Sequence, residues 1–376
     1  MGTRATLAER DVRYKRIREA MAREGMSALI VAGHGSHFNR GYIRYFTDAH
    51  MWAGDALLLI PLESEPTLAW VSYAGAGWPA EPWVPDLRRS VYPEKRIIEA
   101  MNEKGLTKGK VGIAGMAKIM PAGNFMALRN AFPKVQFVSA DTMTDKVRVV
   151  HSQTELMQYR EVWKLSIDAM NRFVEVLAPG KTQREVAAEA NKVIRAGGSR
   201  DDLTTIREGS YAGLPQYLPL KCDDIVGFHM EICGESGHWS EIDVTCAFRK
   251  PTDLESRLMD TELRAYDEIR KAAKPGAKLS DLGLTFDRVL ADDGWKFDPP
   301  SYHFYFHGHG MDDVAWPWYS NMLEDNEDTA VEEGMVLCYH PRRLSWGPKI
   351  CDDIVITPNG AERLSGDWDL RWRIMV

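Results

Sequence analysis

Three histidines recur at odd positions within one aromatic stretch, residues 302–317. They are His303, His307 and His309, and a glycine lies on each side of His309. Side chains of a β-strand alternate between its two faces, so on a strand the three imidazoles would share one face. A buried imidazole is costly without a partner, and the pattern therefore favours a polar pocket with acid–base or metal-binding chemistry. The alternative is a half-exposed edge strand that carries solvated histidines.

Composition excludes several classes of function. The chain has 376 residues and a net charge of −7, which argues against nucleic acid or an anionic membrane as the main partner. It lacks an apolar run of membrane-spanning length and an apolar signal core near Met1, so we expect a cytoplasmic protein. Five cysteines without C-x-x-C spacing indicate reduced thiols: Cys222, Cys233, Cys246, Cys338 and Cys351.

The pattern of helices and strands predicts two domains. Residues 1–147 alternate amphipathic helices with short apolar strands, which is typical of a small α/β domain. Residues 148–376 form the second domain. There, polar and ionisable residues interrupt every strand-like segment, whereas the strands of a fully covered sheet are nearly all apolar. We therefore expect a polar cleft on the sheet of the second domain, with strands near 203–211, 223–233, 240–248, 301–311, 334–341 and 349–357.

The second domain contains an internal repeat. A long helix, a Pro-Gly turn and a capped helix ending in glycine occur twice, with Pro179 and Pro275 96 residues apart and Gly198 and Gly294 at the same offset. The equal offset at both ends predicts a duplication in which two helix pairs cover one shared sheet. Ser280 is the expected N-cap of the last helix.

The second domain carries several motifs in a fixed order: Gly308-His-Gly, Glu332-Glu-Gly-Met-Val followed by Tyr339-His-Pro, and Asp352-Asp-Ile-Val-Ile. Together these motifs resemble those of the creatinase and aminopeptidase P superfamily. The resemblance implies an α/β (α+β) chain: a small creatinase/prolidase-like N-terminal domain and a C-terminal catalytic domain of the pseudo-twofold pita-bread fold.

At the metal-ligand and catalytic positions, the chain departs from that family. Metallopeptidase members hold two divalent ions with two aspartates, a histidine and two glutamates. Asp243 matches the second aspartate and His309 the histidine, whereas the first aspartate falls at Glu231 or Ile232. The remaining departures are His340 and Cys351 in place of the two glutamates, and Trp316 and Gln216 in place of two further histidines.

These departures leave two alternatives for the metal. Hard divalent ions prefer bridging carboxylates, so a dinuclear site is not expected, but Glu231, Asp243, His309 and His340 suit one zinc, iron or manganese ion. The alternative is metal-free catalysis, as the resemblance to creatinase allows. His309 or His340 would then transfer the proton, assisted by a carboxylate of Glu231, Asp243 or Asp352.

The resemblance also implies a homodimer in which a loop of one small domain closes the partner's active site. The matching loop carries Arg44, His50 and Trp52, which we expect to bind a carboxylate or ring of the substrate. Further expected substrate-binding residues lie in the second domain: Gln216, His303, Trp316, Cys351 and Asp352.

The function predicted from these observations is an enzyme. The first hypothesis is a creatinase-like hydrolase that cleaves a C–N bond of a small non-peptide compound with at most one metal ion. Its catalytic residues would be His309, His340, Glu231 and Asp243. The alternatives are a lyase acting on a small carboxylated or aromatic substrate and a non-catalytic binding protein. An Xaa-Pro peptidase ranks last because two family glutamates are replaced.

Overall fold

The computed structural model describes residues 5–36, 39–51, 53–71, 83–296, 304–320, 328–341 and 350–376. These residues form two units. The N-terminal unit runs to Arg148 and includes Gly310–Asp312, and the C-terminal unit comprises Val149–His309 and Asp313–Val376.

The N-terminal unit is built on a six-stranded sheet in the order β4-β3-β2-β1-β5-β6. Strand β1 pairs antiparallel with β2 and parallel with β5, and apolar side chains of both its faces enter two cores. In chain order its elements are α1 (Leu7–Arg23), β1 (Ala28–His34), α2 (Gly41–Thr47), β2 (Asp55–Pro61), β3 (Thr67–Trp70), β4 (Asp86–Arg88), α3 (Pro93–Glu103), β5 (Gly109–Ala114), α4 (Ala122–Ala131), β6 (Val135–Ser139) and α5 (Asp141–Arg148).

The C-terminal unit contains two helix pairs and two five-stranded sheets, in the orders β16-β10-β9-β7-β8 and β12-β11-β13-β14-β15. Its elements are α6 (Gln153–Val176), α7 (Gln183–Ala196), β7 (Asp201–Glu208), β8 (Tyr211–Gly213), β9 (Ile225–Cys233), β10 (Trp239–Ala247), α8 (Asp253–Ala272), α9 (Leu279–Asp292), β11 (Phe304–Gly308), β12 (Ala315–Ser320), β13 (Val336–Tyr339), β14 (Asp352–Thr357), β15 (Gly360–Arg363) and β16 (Arg373–Ile374).

The predicted internal repeat of a turn and a helix is confirmed. Helices α7 and α9 have 14 residues each and begin 96 positions apart. The turns before them contain Gly180 and Gly276 at φ of 82° and 93°, and the turns after them contain Gly198 and Gly294 at 91° and 76°. Glycine adopts this left-handed conformation without a Cβ clash, which explains why it recurs at equivalent turns.

Two predictions about the repeat were wrong. The described strands form two sheets instead of one shared sheet, because the α6–α7 pair packs on β9 and β10 and the α8–α9 pair packs on β11, β13 and β14. Ser280 does not cap α9, which begins at Leu279 with Lys278 as its N-cap. The backbone N–H of Ser280 donates to Asp328 at 3.2 Å, so a carboxylate distant in sequence satisfies this helix end.

Candidate functional site

The hairpin of β9 and β10 gives the site its first set of side chains. His229 and Glu231 lie two residues apart on β9, and their cross-strand neighbours Asp243 and Glu241 lie two apart on β10. Period-two alternation therefore places all four on one face. Ile232 belongs to the apolar core on the other face, so Glu231 is the carboxylate that faces the site.

The second sheet supplies imidazoles and thiols. His307 is the next-to-last residue of β11, and its ring lies 5.0 Å from the rings of both His309 and His340, measured between ring centres. The prediction that odd-numbered histidines share a face therefore holds for His307 and His309, whereas His303 lies outside the described residues. Cys338 on β13 and Cys351 before β14 place their Sγ atoms 3.8 Å apart.

Glu241 is the buried centre of the arrangement. Its Oε2 lies 3.2 Å from His307 Nε2, and it accepts a hydrogen bond from Cys338 Sγ at 3.2 Å. Its Oε1 lies 3.5 Å from His229 Nε2 and 3.7 Å from His340 Nδ1. Burial opposes ionisation of this carboxyl, but the surrounding imidazoles, His340 first, hold its pKa well below the ordinary value.

His309 is fixed by two carboxylates. Its Nδ1 lies 2.9 Å from Asp353 Oδ1, and its Nε2 lies 3.5 Å from Asp313 Oδ1. The other oxygen of Asp353 accepts a hydrogen bond from the indole of Trp163 at 2.8 Å. Burial favours the neutral imidazole, but the charges of Asp353 and Asp313 outweigh it and raise the pKa of His309 well above its ordinary value.

A chain of hydrogen-bonding groups connects these two centres. Glu231 Oε1 lies 3.0 Å from His229 Nε2, and Asp243 Oδ2 lies 3.1 Å from His229 Nδ1. On its other side Glu231 shares a hydrogen bond with Asp313. Burial, with a further contribution from the Asp313 contact, raises the pKa of Glu231 to about 8. The carboxyl of Glu231 therefore lies next to His229 and to Asp313, the carboxylate that is 3.5 Å from His309.

The donor atoms around Glu241 suit a transition-metal ion. Ligand atoms of Glu241, His307, Cys338 and His340 all lie within 4.8 Å of one another. Two imidazoles, one carboxylate and one thiol make a mixed N, O and S set, which favours zinc or iron over hard ions such as magnesium. The set differs from the one expected from the sequence, because Glu241, His307 and Cys338 join His340 in place of Glu231, Asp243 and His309.

The structure places the expected substrate-binding residues in several environments. Gln216 turns its amide back to the carbonyl of Leu214, and Trp316 packs into the core of the α8–α9 half. In the N-terminal unit, Arg44 and His50 are buried, and Arg44 Nε lies 3.4 Å from Asp48. Trp52 and His303 lie outside the described residues. A substrate-binding role for these residues remains a prediction.

Two further predicted residues lie on β14 and directly before it. Cys351 faces the cleft and donates from its Sγ to the backbone carbonyl of Glu241 at 3.3 Å. Asp352 points away from the cleft, where its side chain accepts hydrogen bonds from Tyr266, Arg363 and Ser365. The thiol rather than the Asp352 carboxylate therefore borders the site.

Five cleft residues were absent from the predicted set. Alternation along β9 and β10 was the missed signal for His229 and Glu241, because each lies two positions from a residue that had been selected. Asp353 lies one position past the selected Asp352, on the opposite face. Cys338 likewise lies two positions from the selected His340, whereas the spacing offers no comparable signal for Asp313.

Comparison with known proteins identifies the family to which the chain is similar. Residues 157–358, more than half of the chain, match the model of metallopeptidase family M24, and residues 13–150 match the creatinase/prolidase N-terminal domain. The Xaa-Pro dipeptidase of Pyrococcus horikoshii is 22% identical over 369 residues, covering 94% of this chain and 96% of that protein. The Xaa-Pro dipeptidase of Pyrococcus furiosus is 24% identical over 266 residues, or 68% of this chain and 73% of that protein.

A solved structure shows the same fold. The crystal structure of the prolidase from Pyrococcus horikoshii superposes with a TM-score of 0.78 at 21% identity, covering 96% of this chain and all of that one. The two-domain creatinase-like and pita-bread architecture expected from the sequence motifs is thereby confirmed. Among the described residues, no helix is long and apolar enough to span a membrane.

The comparisons correct the predicted function. A hydrolase of non-peptide compounds ranked first and an Xaa-Pro peptidase last, yet two relatives that match over 94% and 68% of the chain are Xaa-Pro dipeptidases. The ranking failed because it treated the replaced glutamates as loss of peptidase chemistry, while other imidazole, carboxylate and thiol groups surround Glu241. The coarser predictions, a hydrolytic enzyme and a family that uses divalent metal, are supported, and the chain belongs to metallopeptidase family M24.

Proposed function

We propose that this protein is a metal-dependent peptidase that hydrolyses the Xaa-Pro bond of short peptides at the cleft around Glu241. One observation carries the proposal: the buried carboxylate of Glu241 lies 3.2 to 3.7 Å from the imidazoles of His307 and His340 and from the thiol of Cys338. The substrate class is inferred from the relatives that are Xaa-Pro dipeptidases.

The residues of the cleft fit one ion. Glu241, His307, His340 and Cys338 would hold it, since their ligand atoms converge within 4.8 Å. When bound, a divalent ion supplies Lewis-acid activation of the peptide carbonyl and of a water nucleophile. His307 has the orientation of a ligand, because its other ring nitrogen, Nδ1, lies 2.9 Å from the backbone carbonyl of Gly308.

Proton movement is assigned to the neighbouring chain of groups. Hydrolysis of an amide needs a base that takes a proton from water and an acid that gives one to the leaving amine. Glu231, Asp313 and His309 are neighbours in the cleft, with Asp313 Oδ1 3.5 Å from His309 Nε2 and His309 held by Asp353 at 2.9 Å. These groups offer a proton two carboxyl carriers and one imidazole.

The proposal is tested by proline release. The full-length protein is loaded separately with Zn²⁺, Mn²⁺, Fe²⁺ and Co²⁺ and assayed on Ala-Pro and other Xaa-Pro dipeptides, with Ala-Ala as the comparison. We expect cleavage of the Xaa-Pro peptides that is abolished by a chelator. Substituting Glu241→Gln or His340→Gln should lower kcat by at least about 100-fold, because each removes a ligand of the ion.

A histidine outside the cleft provides the control for these variants. His34 lies in the N-terminal unit with its side chain 49% exposed, so His34→Gln should leave the rate unchanged. The proposal fails if no metal supports proline release, or if Glu241→Gln and His340→Gln remain as active as His34→Gln.

Two features expected from the family remain proposals. The homodimer, with the loop of Arg44, His50 and Trp52 closing the partner's site, rests on the match to the creatinase/prolidase N-terminal domain. Sedimentation velocity tests it, and a single species of monomer mass contradicts it. A cytoplasmic location is likewise proposed, and fractionation of the source cells would test it.

A further inference from the structure

We infer a second metal site, separate from the cleft, formed by His151, Glu155 and His238. Glu155 Oε1 lies 3.5 Å from His151 Nδ1 and 3.5 Å from His238 Nε2. The three ligand atoms lie within 4.8 Å of one another, and the residues are 8%, 1% and 0% exposed. None of the three belongs to the set around Glu241, so this inference does not depend on the proposed peptidase activity.

The hydrogen bonds around His151 indicate that its Nδ1 is a hydrogen-bond acceptor that faces Glu155. His151 Nε2 lies 3.2 Å from the backbone carbonyl of His309, which can only accept, so Nε2 carries the hydrogen. The single hydroxyl hydrogen of Tyr159 is donated to the same carbonyl at 2.5 Å. In the neutral ring, Nδ1 then carries a lone pair and faces the carboxylate of Glu155. The nitrogen and the carboxylate are both hydrogen-bond acceptors, so a cation is needed between them.

The other two side chains are also held by second contacts. His238 Nδ1 lies 3.1 Å from Ser236 Oγ, which leaves Nε2 on the side of Glu155. Glu155 uses Oε2 to accept the backbone N–H of Ser152 at 2.9 Å, as part of the capping box of α6, and so directs Oε1 at the two imidazoles. Outer hydrogen bonds of this kind orient the ligands of protein metal sites.

The spacing also favours a metal over shared protons alone. Hydrogen bonds between nitrogen and oxygen span about 2.7–3.2 Å, which is shorter than both 3.5 Å separations. Ligands at about 2.0–2.2 Å from a tetrahedral zinc ion lie roughly 3.3–3.6 Å apart. Two imidazoles and one carboxylate form a common zinc ligand set, and the site offers no sulfur.

The position of the site suggests what a bound ion does. His151 and Tyr159 both hold the backbone carbonyl of His309, whose ring belongs to the cleft. An ion that fixes His151 therefore also fixes the backbone at His309. We expect zinc binding to raise the unfolding temperature of the protein, because a ligand that binds only the folded state stabilises it.

Zinc at this site can be distinguished from zinc in the cleft, where every candidate ligand group includes a cysteine. In the double variant His307→Gln/His340→Gln, the ion of the cleft loses two ligands, whereas His151, Glu155 and His238 are unchanged. After loading with Zn²⁺ and removal of weakly bound metal, we expect one zinc per chain by elemental analysis. X-ray absorption should show only nitrogen and oxygen neighbours, with no sulfur near 2.3 Å as Cys338 in the cleft would give.

Two further substitutions in the same background identify the ligands. His238→Gln should abolish the remaining zinc. Ser236→Ala removes the hydroxyl that contacts His238 Nδ1 at 3.1 Å and accepts from the His238 backbone N–H at 3.4 Å. The protein should stay folded and lose about 10–100-fold in zinc affinity. Circular dichroism checks folding of both.

Three results would overturn the inference. The first is that the double variant binds no zinc, which would mean that His151, Glu155 and His238 share only protons. The second is zinc retained by folded His238→Gln, and the third is zinc affinity unchanged by Ser236→Ala.

Discussion

Asp352 and Asp353 show how one step along a strand separates a residue of the site from a structural residue. Asp353 faces the cleft, where one of its carboxylate oxygens orients His309 and the other accepts a hydrogen bond from the indole N–H of Trp163. Asp352 is fully buried on the opposite face, where Arg363 Nε donates to it at 2.7 Å. Adjacent and chemically identical residues should therefore respond oppositely to the same substitution.

Asn substitution at each position tests this difference. Asp353→Asn should lower kcat by about 100-fold or more, because a general acid–base group such as His309 contributes on that scale only when it is oriented. Asp352→Asn should leave kcat near that of the parent but cost about 3 kcal/mol of unfolding free energy, since it leaves the Arg363 charge without its carboxylate. Steady-state kinetics and urea unfolding of both variants measure the two effects.

The assignment is wrong if Asp352→Asn is the variant that loses turnover while Asp353→Asn loses only stability. Equal losses of turnover in folded proteins would also contradict it.

At the scale of elements, capped helix starts position the strands that carry the site. Helix α8 follows β10 directly and begins with a capping box of Thr252 and Glu255. Arg249 donates to both carboxylate oxygens of Glu255, at 2.8 and 2.7 Å. These hydrogen bonds, the Arg249 contact first, lower the pKa of Glu255 to about 2.

The lowered pKa predicts a pH-dependent contribution to stability. The folded pKa lies below the ordinary value of 4.5, so the contribution is present above about pH 4.5 and is lost as the pH falls towards 2. Glu255→Gln should therefore cost about 1 kcal/mol at pH 7, a modest value because Arg249 is partly solvated. The difference from the parent should shrink towards pH 3, as measured by urea unfolding at both pH values.

The exposed Glu333→Gln serves as the control, with no expected change at either pH. A Glu255→Gln difference that grows as the pH falls would contradict the predicted sign.

At the scale of the whole molecule, a short segment far along the chain belongs to the N-terminal unit. Asp312 accepts hydrogen bonds from the backbone N–H of Gly41 at 2.8 Å and from the Arg148 guanidinium at 2.9 Å. A Cβ on Gly41 would lie 2.2 Å from Asp312, so glycine is required there. Arg148 is buried and lies over the ring of Tyr42, which makes its carboxylate partner important for this unit.

Asp312→Ala should therefore destabilise the N-terminal unit by about 3 kcal/mol, because it removes one partner of a buried ion pair. Hydrogen–deuterium exchange of peptides from β1 and β2 measures the effect in that unit. Asp11→Ala is the matched control, since the Arg10–Asp11 pair is exposed and worth less than about 1 kcal/mol. Unchanged exchange in Asp312→Ala would show that the segment contributes nothing to this unit.

The sequence by itself determined the repeat, and it selected five residues that lie in the cleft: Glu231, Asp243, His309, His340 and Cys351. Turn glycines at equal offsets, and capping boxes such as Ser152 with Glu155, are local signals, because a left-handed turn or a helix end needs particular residues nearby. His309 was found by its motif. Among the pattern-based details, the Ser280 cap failed because Asp328, 48 positions away, satisfies that helix end.

Only the tertiary structure decided which groups meet in the cleft. Glu241 is 66 residues from His307 and 97 from Cys338 along the chain, and Asp353 is 44 from His309. Which face a strand residue occupies depends on register, and a change of one position exchanges Glu231 for Ile232 or Asp353 for Asp352. The pairing of β9 with β10 and of β11 with β13 sets that register, and these contacts between distant segments form only in the folded chain.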